Sequence, residues 1–149
     1  MGSDPGEIYE DDLSVPDDEF LYRLIRGSNT KFEGGTATGP QSNAFQDAPS
    51  TRLVELGAPA VAVSIYLQSE MSRTGMTPGG LVARWDHSYG VASLTAGDAR
   101  AAGQGIVRWP KPSEPEHGMI FCRSGPRKTQ GQSKQLARSS ILVIAPPAL

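Results

Sequence analysis

Three side chains in this chain could do acid–base chemistry on a phosphate: His87 in WDHSYG, His117 in PEHG, and Arg23 inside the apolar run FLYRLIR. One imidazole would take a proton and the other would return it, while the guanidinium held the anion. Arg23, His87 and His117 are therefore the candidate catalytic set, suited to cleaving a phosphodiester or acting on a nucleotide. Two histidines and the single Cys122 lie in distant segments without metal-ligand spacing, so no metal and no cofactor is expected. Asp86, His87 and Ser88 are neighbours in sequence, which does not make a triad, and no serine stands in a G-x-S-x-G turn. Cys122 sits in the apolar run MIFC and reads as a buried, inert thiol.

Binding residues are sought among cations and helix starts. Arg100 and Arg108 flank the Gly103-Gln104-Gly105 turn, and Arg123, Arg127, Lys128, Lys134 and Arg138 crowd the C-terminal third. With Trp85 and Trp109 they suggest a basic face for a nucleotide or nucleic acid, although regularly interleaved stacking aromatics are absent. Ser42, Thr95, Arg100, Gln104, Arg108 and Lys128 are the candidate binding residues. The stretch GVASLTAGDARAAGQG, residues 90–105, does not form G-x-G-x-x-G. It reads as a short helix over TAGDARAA, with Thr95 as N-cap, Asp98 completing a capping box and Gly103 just past the end. Close packing explains its small residues better than a phosphate cradle does.

Charge is segregated along the chain. Of 149 residues, the first 20 hold eight acids and no Lys or Arg. The other eight acids face fourteen Lys and Arg, so the body carries about +6 within a net charge of −2. Residues 1–18 read as a disordered acidic arm. Either it keeps the protein soluble, or it folds back over a basic face and competes with an anionic ligand. Hydrophobic residues are 38%, and 17 glycines and 12 prolines imply many turns. The length suits one domain over residues 19–149. No secretory leader and no apolar run long enough to span a bilayer is read, so a cytoplasmic protein without membrane attachment is expected.

The elements that must position these side chains are short. EFLYRLIR at 19–26 reads as a strand, with a short helix competing. Residues 27–43 read as a long loop and AVAVSIYL at 60–67 as the clearest strand. TGMTPGG reads as a loop and LVARW as a short strand or helical turn. GIVRW and GMIFC read as strands joined by the proline-stiffened PKPSEPEH. RSGPRKTQGQ is a basic loop, SKQLARSS a helix and ILVIAPP the last strand, ended by its prolines. The expectation is an α+β domain of five or six short strands and two short helices.

From FLYRLIR through SNAF and VSIYL to GVASLTAGDARAAGQGIVRWPKPSEPEHG, the chain resembles a small bacterial family of uncharacterised proteins. That resemblance implies a bacterial cytoplasmic protein and carries over no activity. A fainter resemblance is to toxin domains that use NAD to ADP-ribosylate a target. It rests on an arginine on an early strand (Arg23), a Gly-rich loop, and a strand carrying Ser42 or Tyr66. The Gly-Gly-Arg-Trp-Asn type of segment is lacking, and Glu70 is the only acid it suggests. With no complete catalytic constellation, the first expectation is a non-enzymatic interaction or accessory protein of a conflict or mobile-element locus, with a protein partner. The alternative is a small nucleotide- or RNA-directed enzyme, ADP-ribosyltransferase-like or ribonuclease-like.

Overall fold

Alternating apolar residues make Phe20–Ile25 (β1) a strand. The computed structural model describes residues 10–45, 62–123 and 129–147. In chain order there follow a hairpin of Thr30–Glu33 (β2) and Thr36–Pro40 (β3), then strand Val63–Leu67 (β4). Helices Gln68–Thr74 (α1) and Pro78–Trp85 (α2) come next, then Gly90–Thr95 (β5) and helix Ala96–Ala101 (α3). Gln104–Arg108 (β6), His117–Cys122 (β7), helix Gln130–Ser139 (α4) and Ile141–Ile144 (β8) complete the chain.

Six of these strands form one antiparallel sheet in the order β6-β7-β4-β1-β5-β8. The fold is thus mixed α+β. The expected counts of strands and helices were too low: the described residues hold eight strands and four α-helices. The long loop expected at 27–43 is a hairpin flanked by two 3₁₀ turns, its reversal made by Gly34 and Gly35 at positive φ. LVARW is helical within α2, where Thr77 caps the first turn and Pro78 takes the first helical position. GVASL, given no element from sequence, is β5, the strand most fully paired with β1.

Both faces of the sheet carry buried clusters. On one side, Leu21, Ile25, Ile65, Leu67, Ala92 and Ile106 pack under α3 and α4 with Leu136 and with Phe45 of the Ser42–Phe45 turn. On the other, Tyr66 packs with Met71 of α1 and Leu81 of α2, while Ala62, Met119 and Phe121 form a further cluster. The capping box of α3 is present as expected: Thr95 Oγ1 accepts from the Asp98 amide at 3.1 Å, and Asp98 accepts from the Thr95 amide at 3.2 Å. Gly103 follows at φ 81° and turns the chain into β6.

Residues 10–18 correct the expectation of a disordered arm over 1–18; residues 1–9 lie outside the described residues. Val15 is fully buried in the main core. The Asp12 amide donates to the Ile106 carbonyl at 2.8 Å, and the Ile106 amide donates to Asp11 Oδ1 at 3.0 Å. This strap covers the β6 edge of the sheet, where unpaired backbone groups would otherwise face solvent.

Candidate active site

The site begins where the sheet forks. β1 and β4 are paired at only two positions, Leu21↔Leu67 and Tyr22↔Tyr66, whereas β1 and β5 are paired at six. Beyond Tyr22, β1 stays with β5, while β4 from Tyr66 back to Val63 stays with β7. Two half-sheets, β6-β7-β4 and β1-β5-β8, therefore separate along one edge of their contact. Arg23 sits in the fork. Its Nε donates to the Ala44 carbonyl at 2.9 Å and its Nη1 to the Ser64 carbonyl at 3.1 Å, so side-chain bonds replace ladder bonds there.

Opening from this fork is a cleft of about 540 Å³. Its walls carry three cations (Arg23, Arg26 and Lys111) and three aromatic rings (Tyr66, Trp85 and Tyr89), with Ser64 and Asn43 among the polar groups. Arg26 Nη2 donates to the Tyr89 hydroxyl at 2.7 Å. Neither Arg23 nor Arg26 has an ion pair among the described residues. Burial lowers the Arg23 pKa to about 10, so the guanidinium stays charged at neutral pH in a site that disfavours its charge.

Behind the aromatic wall is a carboxylate. The Tyr66 hydroxyl donates to Glu114 Oε1 at 2.5 Å, and Trp85 Nε1 donates to the Tyr66 hydroxyl at 3.1 Å and to Glu114 Oε1 at 3.2 Å. Burial alone would raise the Glu114 pKa, but the Tyr66 hydroxyl, then Lys111 at 3.4 Å, hold it below the usual carboxylate value. Burial first, and then Glu114, push Tyr66 up and keep its hydroxyl protonated. Arg84 pairs with the buried Glu116 at 2.5 Å and closes this network under α2.

His117 stands beside the cleft, one turn of the network further in. It is buried, its Nδ1 lies 2.8 Å from the Trp109 carbonyl, and its Nε2 lies 2.9 Å from Ser64 Oγ. A carbonyl only accepts, so Nδ1 carries the proton and Nε2 accepts from the serine hydroxyl. Burial lowers the His117 pKa, which favours this neutral form.

Of the candidate catalytic set, Arg23 and His117 meet at Ser64, one on its carbonyl and one on its hydroxyl. His87 does not join them: it is exposed on the turn after α2, and Tyr89, two residues on, lines the cleft instead. A two-histidine acid–base pair is therefore not assembled. Among the binding residues, Ser42 opens the turn whose Asn43 lines the cleft and whose Ala44 holds Arg23. Thr95 is a helix cap, and Gln104 is buried in β6 with Nε2 on the Ala102 carbonyl. Arg100 and Arg108 are bound by the strap, and Lys128 lies outside the described residues. Glu70, the acid suggested by the ADP-ribosyltransferase resemblance, pairs with Arg73 on α1 and is not in the cleft. Cys122 is partly buried, with Sγ 3.5 Å from Gln132 Oε1.

Sequence reasoning missed Ser64, Tyr89, Lys111 and Glu114 as site residues. Ser64 occupies the one polar beat of VSIYL, a signal that was present, whereas Glu114 lay in a segment that reads as a connector. Among the described residues, no group of three or more His, Cys, Asp or Glu is placed to hold a metal ion, and no helix is long and apolar enough to cross a membrane. No protein-family model, no curated protein and no solved structure matches the chain.

Proposed function

We propose that the chain is a nucleotide-directed enzyme of the ADP-ribosyltransferase-like kind, with its site in the fork between the two half-sheets. The observation that carries this reading is the cleft-lining guanidinium of Arg23, held by two carbonyls and paired with no carboxylate among the described residues. A cation so placed keeps donors for phosphate oxygens. Tyr66, Trp85 and Tyr89 offer ring faces to a base or nicotinamide. Glu114, through the Tyr66 hydroxyl or after that bond opens, offers an acceptor to a ribose hydroxyl. The acid assigned here is thus Glu114 and not Glu70.

The test is calorimetric titration of the whole chain with NAD and with ADP-ribose, repeated for Arg23→Ala, alongside an assay for released nicotinamide. Saturable binding that Arg23→Ala weakens about 10- to 100-fold, with nicotinamide release by the wild type, is expected. Absence of binding by either ligand overturns the reading.

A second reading, an accessory protein that docks a partner, is favoured by β8. This edge strand has the sequence ILVI, and Ile141 and Val143 are 63% and 40% exposed. An apolar edge strand without charges is a ready pairing surface. Sedimentation at increasing concentration of wild type and Val143→Lys tests it: self-association lost in the variant supports docking through β8 to a second copy, and a monomer throughout opposes it.

A further inference from the structure

The hydrogen bond from Ser64 to His117 has a chemical meaning separate from nucleotide binding. A serine nucleophile needs a base within hydrogen-bond reach, and the base needs a third group that fixes its tautomer. All three are present on neighbouring strands. Ser64 Oγ is 2.9 Å from His117 Nε2, and the Trp109 carbonyl is 2.8 Å from His117 Nδ1. Ser64 and His117 project from β4 and β7, which are paired in register at Tyr66↔His117, so strands and not loops hold the pair. Ser64 lines the cleft while His117 lies behind it, the arrangement that exposes a nucleophile and shelters its base. The Arg23 guanidinium is anchored on the carbonyl of Ser64 itself and lines the same cleft.

We infer that Ser64 is a nucleophile activated by His117, and that the cleft accepts an acyl ester bearing an anionic group. In the first step, Ser64 Oγ bonds to the acyl carbon and its proton passes to His117 Nε2. The carbonyl oxygen takes up negative charge near Arg23. The ester C–O bond then breaks, and the leaving alkoxide takes the proton from His117. In the second step, water gives a proton to His117 and attacks the acyl-serine, releasing the carboxylic acid and returning the proton to Ser64. Arg26 and Lys111 at the cleft wall would seat the anionic group.

This assignment stands on the Ser64–His117 geometry and not on the nucleotide reading. Its test uses a small dialkyl fluorophosphonate, which carries neither nucleotide nor anionic phosphate, so the two readings fail or succeed separately. The Ser64 Oγ–P bond forms, the P–F bond breaks, fluoride leaves, and the proton goes to His117. Intact-mass measurement of the full chain, followed by peptide mapping, is expected to show one adduct, on Ser64. Ser64→Ala should give none, and His117→Gln should react at least about 100-fold more slowly. No adduct, an adduct elsewhere, or an undiminished rate in a folded His117→Gln variant would overturn the proposal. If circular dichroism shows that His117→Gln does not fold, the pH dependence of wild-type labelling decides. The rate should fall as His117 takes a proton, below the ordinary histidine range. The charged and titratable groups facing it are Tyr66 on β4, Lys111, Glu114 and Glu116 in the connecting segment, and Arg84 of α2 paired with Glu116. A rate independent of pH through that range also overturns it.

Discussion

Two pairs of arginines stand under opposite conditions: Arg100 of α3 with Arg108 of β6, and Arg23 of β1 with Arg26 just after it. At the β6 edge, Arg100 is gripped by Asp11 through Nε and Nη2 at 3.0 and 3.2 Å and by Asp17 at 2.7 Å. Arg108 meets Asp12 at 3.2 Å. At the fork, Arg23 has two backbone carbonyls and Arg26 has a phenol, and neither has an ion pair among the described residues. Burial alone would lower the Arg100 pKa, but hydrogen bonds to Asp11 and Asp17 raise it above its usual value, while Arg23 is lowered. The acidic strap thus neutralises one pair of arginines, while the other pair has no ion pair among the described residues. Arginines that look alike in the sequence divide into two whose anions lie in the strap and one in the cleft without an ion pair among the described residues.

The sharpest way to break this division is to exchange the two roles by mutation. Arg23→Ala should weaken binding of an anionic nucleotide by about 10- to 100-fold, the loss of one or two charge-assisted hydrogen bonds of roughly 1.5–3 kcal/mol. Arg100→Ala should leave that affinity within about twofold. Calorimetric titration with ADP-ribose separates the two, and equal losses would show that the strap side also binds ligand. In urea unfolding both variants should lose stability, Arg23→Ala because the Ala44 and Ser64 carbonyls lose their donor. Arg100→Ala should cost about 2–3 kcal/mol, below the 3–5 of a fully buried pair because Asp17 is largely exposed, and it would leave Asp11 with the Ile106 amide but without its cation.

Only part of this division was legible in the sequence. An arginine among FLYRLIR cannot be solvated on both sides, so Arg23 was marked out by local pattern alone. The capping box of α3, the strand at VSIYL and the last helix were also legible, because caps and alternation are local signals. The fork was not, because it depends on how β1 divides its pairing between β4 and β5, which no local period records. Glu114 comes up behind the aromatic wall of the cleft through the connection between β6 and β7, and its segment carried only a proline signature. The strap was misread because its acids outnumber its one anchoring apolar residue, Val15, and composition averages that residue away. α1 was missed since QSEMSRT offers a single buried side chain, Met71, too few for a helical stripe.

Two smaller effects test the halves of the comparison separately. Val15→Ala removes two methyl groups from a fully buried position and should destabilise by about 1–2.5 kcal/mol in urea. A strap that merely lay on the surface would give no such loss. On the cleft side, Asn43→Asp introduces a carboxylate next to the residue that holds Arg23. It should reproduce the strap's pairing in the wrong place and lower nucleotide affinity about tenfold, with salt restoring part of the loss by screening. Unchanged affinity would mean that the ligand's anion does not reach Arg23.

The smallest effect is a difference in pH window. In the strap, hydrogen bonds from the Ser14 side chain and, against the opposing effect of burial, the Ser14 amide with Arg108 hold the Asp12 pKa below 3.8. Its stabilising contribution is complete above the unfolded value and is lost only as pH falls below about 3.8 toward the native one. At the cleft, burial holds His117 below its unfolded value of 6.5. Between that value and the native one the unfolded chain binds the extra proton, so stability decreases as pH falls below 6.5. The slope is at most about 1.4 kcal/mol per pH unit for one proton. Glu114, lowered from 4.5, adds its own loss only at more acidic pH. Urea midpoints measured from pH 7.5 to 4.5 should therefore decline in the wild type and decline less in His117→Gln. A wild-type midpoint that stays flat through this range would mean that native His117 takes its proton over the same range as in the unfolded chain. Below about 6.5 its Nε2 could then no longer accept from Ser64, and the serine–histidine hydrogen bond would be confined to neutral and alkaline pH.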